Sequence, residues 1–86
     1  MLNFPNASRS YDATRHCVRF WGHDGALEVS FFIEDSALIQ IGAGTTQREN
    51  SLLQCFDANR DRIMETARKV YRRRSQGSYE LMASDF

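Results

Sequence analysis

The sequence predicts an α+β domain spanning residues 1–86. An antiparallel sheet of three to four strands should carry a short and a long helix on one face, in the order β-β-β-α-α-β. Three observations predict it. Residues 16–34 alternate apolar and polar side chains around an Asp-Gly turn. Residues 46–74 repeat apolar side chains at helical spacing. Residues 78–84 return to strict alternation.

Residues 1–6 read as a short edge strand that Pro5 ends, because proline lacks the donor a sheet ladder needs. Residues 7–14 are polar and turn-like. Residues 16–22 and 26–34 form a hairpin through Gly22, His23, Asp24 and Gly25, since glycine accepts positive φ without penalty. One hairpin face carries Val18, Phe20, Leu27, Val29, Phe31 and Ile33 and is expected in the core. The other carries Cys17, Arg19, Trp21, Glu28, Ser30 and Phe32 and is expected to be largely solvated, with Trp21 and Phe32 as exceptions.

Asp35 or Ser36 is the expected N-cap of a short helix that Gly42, Ala43 and Gly44 break. Thr46 and Glu49 have capping-box spacing at the start of a long helix. Its seam is Leu52, Leu53, Phe56, Ile63, Met64, Ala67, Val70 and Tyr71. Gly77 stands where a glycine C-cap would. A helix of about 27 residues is about 40 Å long, against about 30 Å for a compact chain of this size. It must break near Asn50 and Ser51, project beyond the sheet, or be covered by a second subunit.

Apolar residues are 42% of the chain and charged residues 26%, ordinary values for a globular protein. Net charge is zero, which argues against a dedicated nucleic-acid binder. The charges are nonetheless segregated. Residues 60–74 hold seven bases against two acids, and residues 20–57 hold six acids against one base. Such lobes suit internal pairing or head-to-tail association. No stretch reaches the roughly 20 apolar residues of a membrane span. The N-terminal residues lack the basic flank and apolar run of a secretory signal. A cytoplasmic location with free thiols at Cys17 and Cys55 is expected.

Residues 17–33, CVRFWGHDGALEVSFFI, combine a V-x-F strand, an Asp-Gly turn and an apolar strand, followed by Ala37 and Leu38 on a short helix. With residues 56–62, Tyr79-x-Leu81 and the Asp85-Phe86 ending, this pattern resembles the small bacterial family called domain of unknown function 1488. The resemblance covers nearly the whole chain. Its motifs are apolar or turn-forming, so they specify a fold more than a chemistry. It implies an α+β domain of bacterial, cytoplasmic origin and brings no assigned activity, cofactor or catalytic residue.

The residues themselves offer little chemistry. His16, Cys17, His23 and Cys55 lack C-x-x-C or H-x-x-x-H spacing, so no metal is expected. Cys17 and His23 are about 20 Å apart along one strand, too far for a nucleophile and its base. Glu28, Glu34, Asp57, Asp61 and Glu65 read as solvated charges. Gly42-Ala43-Gly44 is not followed by the Gly-Lys-Ser/Thr of a phosphate loop. No catalytic residue, cofactor or metal is therefore expected, and an enzyme is not.

Two surfaces stand out. Trp21 and Phe32 on the non-core sheet face mark a candidate partner surface. Arg60, Arg68, Arg72 and Arg73 are candidates for an anion or ion-pair site. Arg60 sits on the apolar seam and needs a partner, with Glu34, Asp35, Asp85 or a bound anion as candidates. The bases at the helix end, Arg74 and Lys69 included, spread around its axis and also complement its dipole. The expected function is a non-enzymatic protein-interaction or accessory module, self-associating or bound to another protein. The alternative is a nucleic-acid or anion-binding domain using the basic end of the long helix.

Overall fold

The computed structural model describes residues 2–73 and 78–86. Leu2–Asn3 (β1), Arg9–Asp12 (β2), Cys17–Asp24 (β3) and Leu27–Glu34 (β4) precede three helices, Asp35–Ile41 (α1), Glu49–Ala58 (α2) and Arg60–Arg73 (α3). Ser78–Leu81 (β5) and a 3₁₀ turn at Ala83–Asp85 follow.

The hairpin forms, with its turn shifted: Gly22, His23 and Asp24, expected in the loop, belong to β3. β3 and β4 pair antiparallel from Cys17↔Glu34 to Asp24↔Leu27. This register leaves Gly25 and Ala26 as the two loop residues, and Gly25 takes φ +62°. Positive φ at the first loop residue is the form that suits the twist of a two-residue hairpin.

The rest of the sheet corrects the expected topology. Among the described residues there are five strands, in the order β1-β3-β4-β5, with β2 also on β3. β5 lies parallel to β4, so the sheet is mixed and not wholly antiparallel. A parallel neighbour requires a long crossover, which α1–α3 provide. Residues 7–14, expected as a turn, contain β2, paired through Arg9↔Phe20 to Asp12↔Cys17.

β1 and β2 share one border of the sheet. Between Asn3↔His23 and Arg9↔Phe20, residues 4–8 pass only Trp21 and Gly22 of β3. The three surplus residues loop out around Pro5. They turn Phe4 inward, with its ring 6.0 Å from Phe20 and 5.6 Å from Phe31. Gly22 makes room for this: a Cβ there would lie 2.9 Å from Phe4 Cε1 and 3.0 Å from Leu2 Cδ1.

The helices bury against the face carrying Val18, Phe20, Phe31, Ile33, Tyr79 and Leu81. Leu52, Phe56, Ile63, Met64, Ala67 and Val70 meet them, with Leu53 and Tyr71 at the margin. Leu27 departs from the expected core: it is 62% exposed, because it pairs with Asp24 at the hairpin tip beyond the helices. On the opposite face Cys17 is buried, contrary to a solvated surface, and Phe32, one of the two expected exceptions, is buried as well. Burial pushes the Cys17 thiol up to about 11, and the Asp12 carboxylate adds to the shift.

The expected long helix is two helices. It breaks at Asn59 and not near Asn50 and Ser51. The Asn59 backbone N–H donates to Cys55 O at 3.0 Å and Phe56 O at 3.3 Å, while its side-chain Nδ2 donates to Cys55 O at 3.0 Å. Its own carbonyl accepts from Ile63 N–H, so one residue ends α2 and starts α3. The bend shortens the helical layer: the described residues fit within 36 × 24 × 23 Å.

Helix starts also differ from expectation. Glu34 occupies the N-cap of α1, and Arg48 that of α2, neither with a side-chain cap bond. Instead of closing a capping box, Thr46 donates its N–H to Ser51 Oγ at 2.8 Å, and its hydroxyl accepts from Arg48 N–H. Gly77 and Arg74 lie outside the described residues.

Candidate functional site

Strand alternation places Arg19, Trp21, Ser30, Phe32 and Glu80 on the sheet face away from the helices. One row across the strands reads Ser10, Arg19, Phe32, Glu80. Trp21, Ser30 and Ser78 form the next. The rings on this face are covered by guanidinium groups. Arg15 lies 4.4 Å above Phe32, and Arg19 lies 5.0 Å from the Trp21 ring and 5.7 Å from Phe32. Phe32 is left 9% exposed and Trp21 half-buried.

Arg19 donates to Ser30 Oγ at 3.3 Å through one terminal nitrogen, while its Nε is buried with no partner among the described residues. Neither Arg15 nor Arg19 has a carboxylate within ion-pair distance among the described residues. Their positive charge is therefore balanced only by ring faces, a contact worth about 0.5–2 kcal/mol each. Glu28, Glu34 and Glu80 share this side of the sheet, Glu28 and Glu80 exposed.

The other arginines are engaged elsewhere. Arg9 forms a two-pronged pair with Asp57, Nε to Oδ1 at 2.9 Å and a terminal nitrogen to Oδ2 at 2.8 Å. This bond raises the Arg9 pKa and holds the Asp57 carboxyl below its ordinary value. Arg60 donates to Ala7 O at 2.7 Å, stands 3.7 Å from Asp57 and lies 5.0 Å from the Phe56 ring. It ties the helical layer to the N-terminal segment, and its partners are not Glu34, Asp35 or Asp85.

Among the described residues the bases of the helix end do not gather into one site. Arg60 and Arg68 share a groove with Phe4, Asp61, Met64 and Glu65, and Arg68 lies 5.2 Å from the Phe4 ring. Arg68 and Arg72 border a second groove with Leu2, Asn3, Asp24 and Tyr71. There the Tyr71 hydroxyl donates to Asp24 Oδ2 at 2.6 Å, which lowers the Asp24 pKa and raises that of Tyr71. Arg73 is exposed outside both grooves.

Among the described residues no cluster of three or more His, Cys, Asp or Glu is placed to hold a metal ion, and no helix is long and apolar enough to cross a membrane. His16 lies in the β2–β3 turn with φ +53°, and His23 pairs with Glu28 near the hairpin tip. Cys55 is buried, its thiol donating to Leu38 O at 3.3 Å.

A family model described as a protein of unknown function (DUF1488) matches residues 2–82. The chain belongs to the DUF1488 family. No curated protein matches it. The DUF1488 fold is also seen in a crystal structure of a family member of unknown function from Shewanella loihica PV-4. That protein is 18% identical to this one, with a TM-score of 0.81 over 93% of this chain and 90% of that one. At this identity the likeness concerns the DUF1488 fold alone.

Sequence reasoning singled out Trp21 and Phe32 but not the arginines that cover them. Arg19, between the two rings on the same strand face, was visible in the alternation. Arg15 was not, because its reach over Phe32 depends on the left-handed turn at His16.

Proposed function

We propose that this chain is a non-enzymatic interaction module whose partner is a second copy of itself, met through the open sheet face. The observation that carries the reading is the row Arg19, Phe32, Glu80. Neighbouring strands are about 4.8 Å apart. A twofold axis running along β4 above Phe32 therefore sets Arg19 of one copy opposite Glu80 of the other, twice. The two Phe32 rings, each beneath its own Arg15 guanidinium, lie at the centre. Two sheets stacked in this way, about 10 Å apart, form an aligned sandwich. A closed twofold contact of this kind is the commonest form of self-association.

Electrostatics support the same reading. Arg19 and Glu80 have no ion-pair partner among the described residues of their own chain. The protein has no net charge to hold copies apart. A nucleic-acid backbone suits the face less well, because Glu28, Glu34 and Glu80 would meet its phosphates. The alternative anion-binding reading on α3 has weaker support, since Arg68 packs on Phe4 and Lys69 stands 4.0 Å from Glu65.

Sedimentation velocity over a concentration series tests the proposal. It expects a monomer–dimer equilibrium that weakens as salt rises. Arg19→Glu and Glu80→Arg should each shift it to monomer, and the two combined in one chain should restore the dimer. A monomer at every concentration, or a dimer indifferent to Arg19→Glu, overturns the reading.

A further inference from the structure

A cleft of about 730 Å³ opens between β2, the β2–β3 turn and the start of α1. This is within the size range of small-molecule sites. Its walls carry opposite charges: Arg15 stands on the turn side, and Glu34 and Asp35 on the α1 side. Tyr11, His16 and Gln47 complete its polar lining.

Asp35 is the unusual member. The Tyr11 hydroxyl donates to its Oδ2 at 2.8 Å. Its Oδ1 is buried and accepts no hydrogen bond from any described residue. A buried carboxylate oxygen without a donor is costly. The terminal torsion of an aspartate is soft, so a small rotation presents Oδ1 to the cleft. The half-buried Glu34 stands beside it, and among the described residues only the Ser36 hydroxyl, at 3.3 Å, bonds its carboxylate.

We propose that this cleft binds a short peptide by its free amino and carboxyl ends. The ammonium is held by Asp35 and Glu34. The carboxylate takes the planar fork of Arg15, which is exposed and bonded to no carboxylate among the described residues. A simple anion would be repelled by the two carboxylates, and a simple cation by Arg15, so the walls select a ligand carrying both charges. Gln47 offers an amide to the peptide group, and Ile39 gives an apolar wall for a side chain. The proposal needs neither Arg19 nor Glu80, but it shares Arg15, 4.4 Å from the Phe32 ring, with the proposed self-association face.

Titration of the full chain with L-alanyl-L-alanine, followed by backbone amide shifts, tests it. Saturable shifts should appear at His16, Asp35, Ser36 and Gln47. Acetylation of the peptide amine or amidation of its carboxylate should each weaken binding at least tenfold. Asp35→Asn and Arg15→Gln should do the same while the melting transition stays cooperative. Should Asp35→Asn fail to fold, Arg15→Gln decides the matter, since that side chain lies on the surface. The absence of saturable shifts at millimolar peptide overturns the proposal. Capped peptides that bind equally well, or shifts confined to residues outside the cleft, overturn it too.

Discussion

The two faces of the same sheet solve opposite problems with alternate residues of the same strands. On the helix side, Phe20 stacks on Phe31 at 5.3 Å and Phe31 on Tyr79 at 5.4 Å, and water is excluded outright. On the open side, Phe32 and Trp21 are roofed by guanidinium planes. The first arrangement gains from apolar burial and tolerates no change of volume. The second gains less per residue, yet leaves charge available to another molecule. The covered face specifies the fold, and the open face is the one on which the proposed self-association rests.

The largest expected effect is on the covered side. Phe31→Ala should destabilise the chain by about 3–5 kcal/mol in denaturant unfolding, from lost burial and the cavity left behind. Gly22→Ala should cost about 1–3 kcal/mol, because the new methyl displaces Phe4 and Leu2. A loss below about 0.5 kcal/mol would show that the Phe4 loop shifts freely. Trp21→Ser on the open side should cost less than Phe31→Ala. If both cost the same, the contrast between the faces fails.

The smallest effects belong to charge pairs. Asp57→Asn should cost no more than about 1 kcal/mol, since the Arg9–Asp57 pair is partly solvated. The folded Asp57 pKa is depressed, so its contribution is fully present above the unfolded value near 3.9 and is lost as pH falls through the folded one. Unfolding of Asp57→Asn and the parent should converge in acid. Tyr11 acts in the other direction. Burial first, and then its bond to Asp35, push its phenol up to about 12. Its contribution is present below about 10 and lost as pH rises through that folded value. Ultraviolet titration should place one tyrosine near it, and Tyr11→Phe should remove that step.

The hairpin was legible in its flanking alternation and in Gly25, but its turn was misplaced, since Gly22, His23 and Asp24 belong to β3 and the loop is Gly25 and Ala26. The helical seam was legible in its apolar spacing. The break at Asn59 was not, because the apolar spacing runs in phase from Phe56 to Ile63 across it. The only local sign was an asparagine, a residue whose side chain competes for backbone bonds. β2 escaped notice since Arg9, Ser10, Tyr11 and Asp12 carry no apolar alternation. The parallel direction of β5 is set by the helical crossover and not by its own four residues. At the candidate site, ring positions could be read from strand parity, whereas the arginine planes over them depend on side-chain reach and on the turn at His16.

The divided border of the sheet has a consequence for solubility. An uninterrupted flat edge offers a template on which further chains add strand by strand into fibres. Here one border is cut into two- and four-residue pieces by the excursion around Pro5, and the other is a strand of only four residues. Neither presents a run long enough to nucleate such growth. In a protein without net charge, and so without electrostatic protection against clumping, short margins of this kind should disfavour strand-by-strand growth.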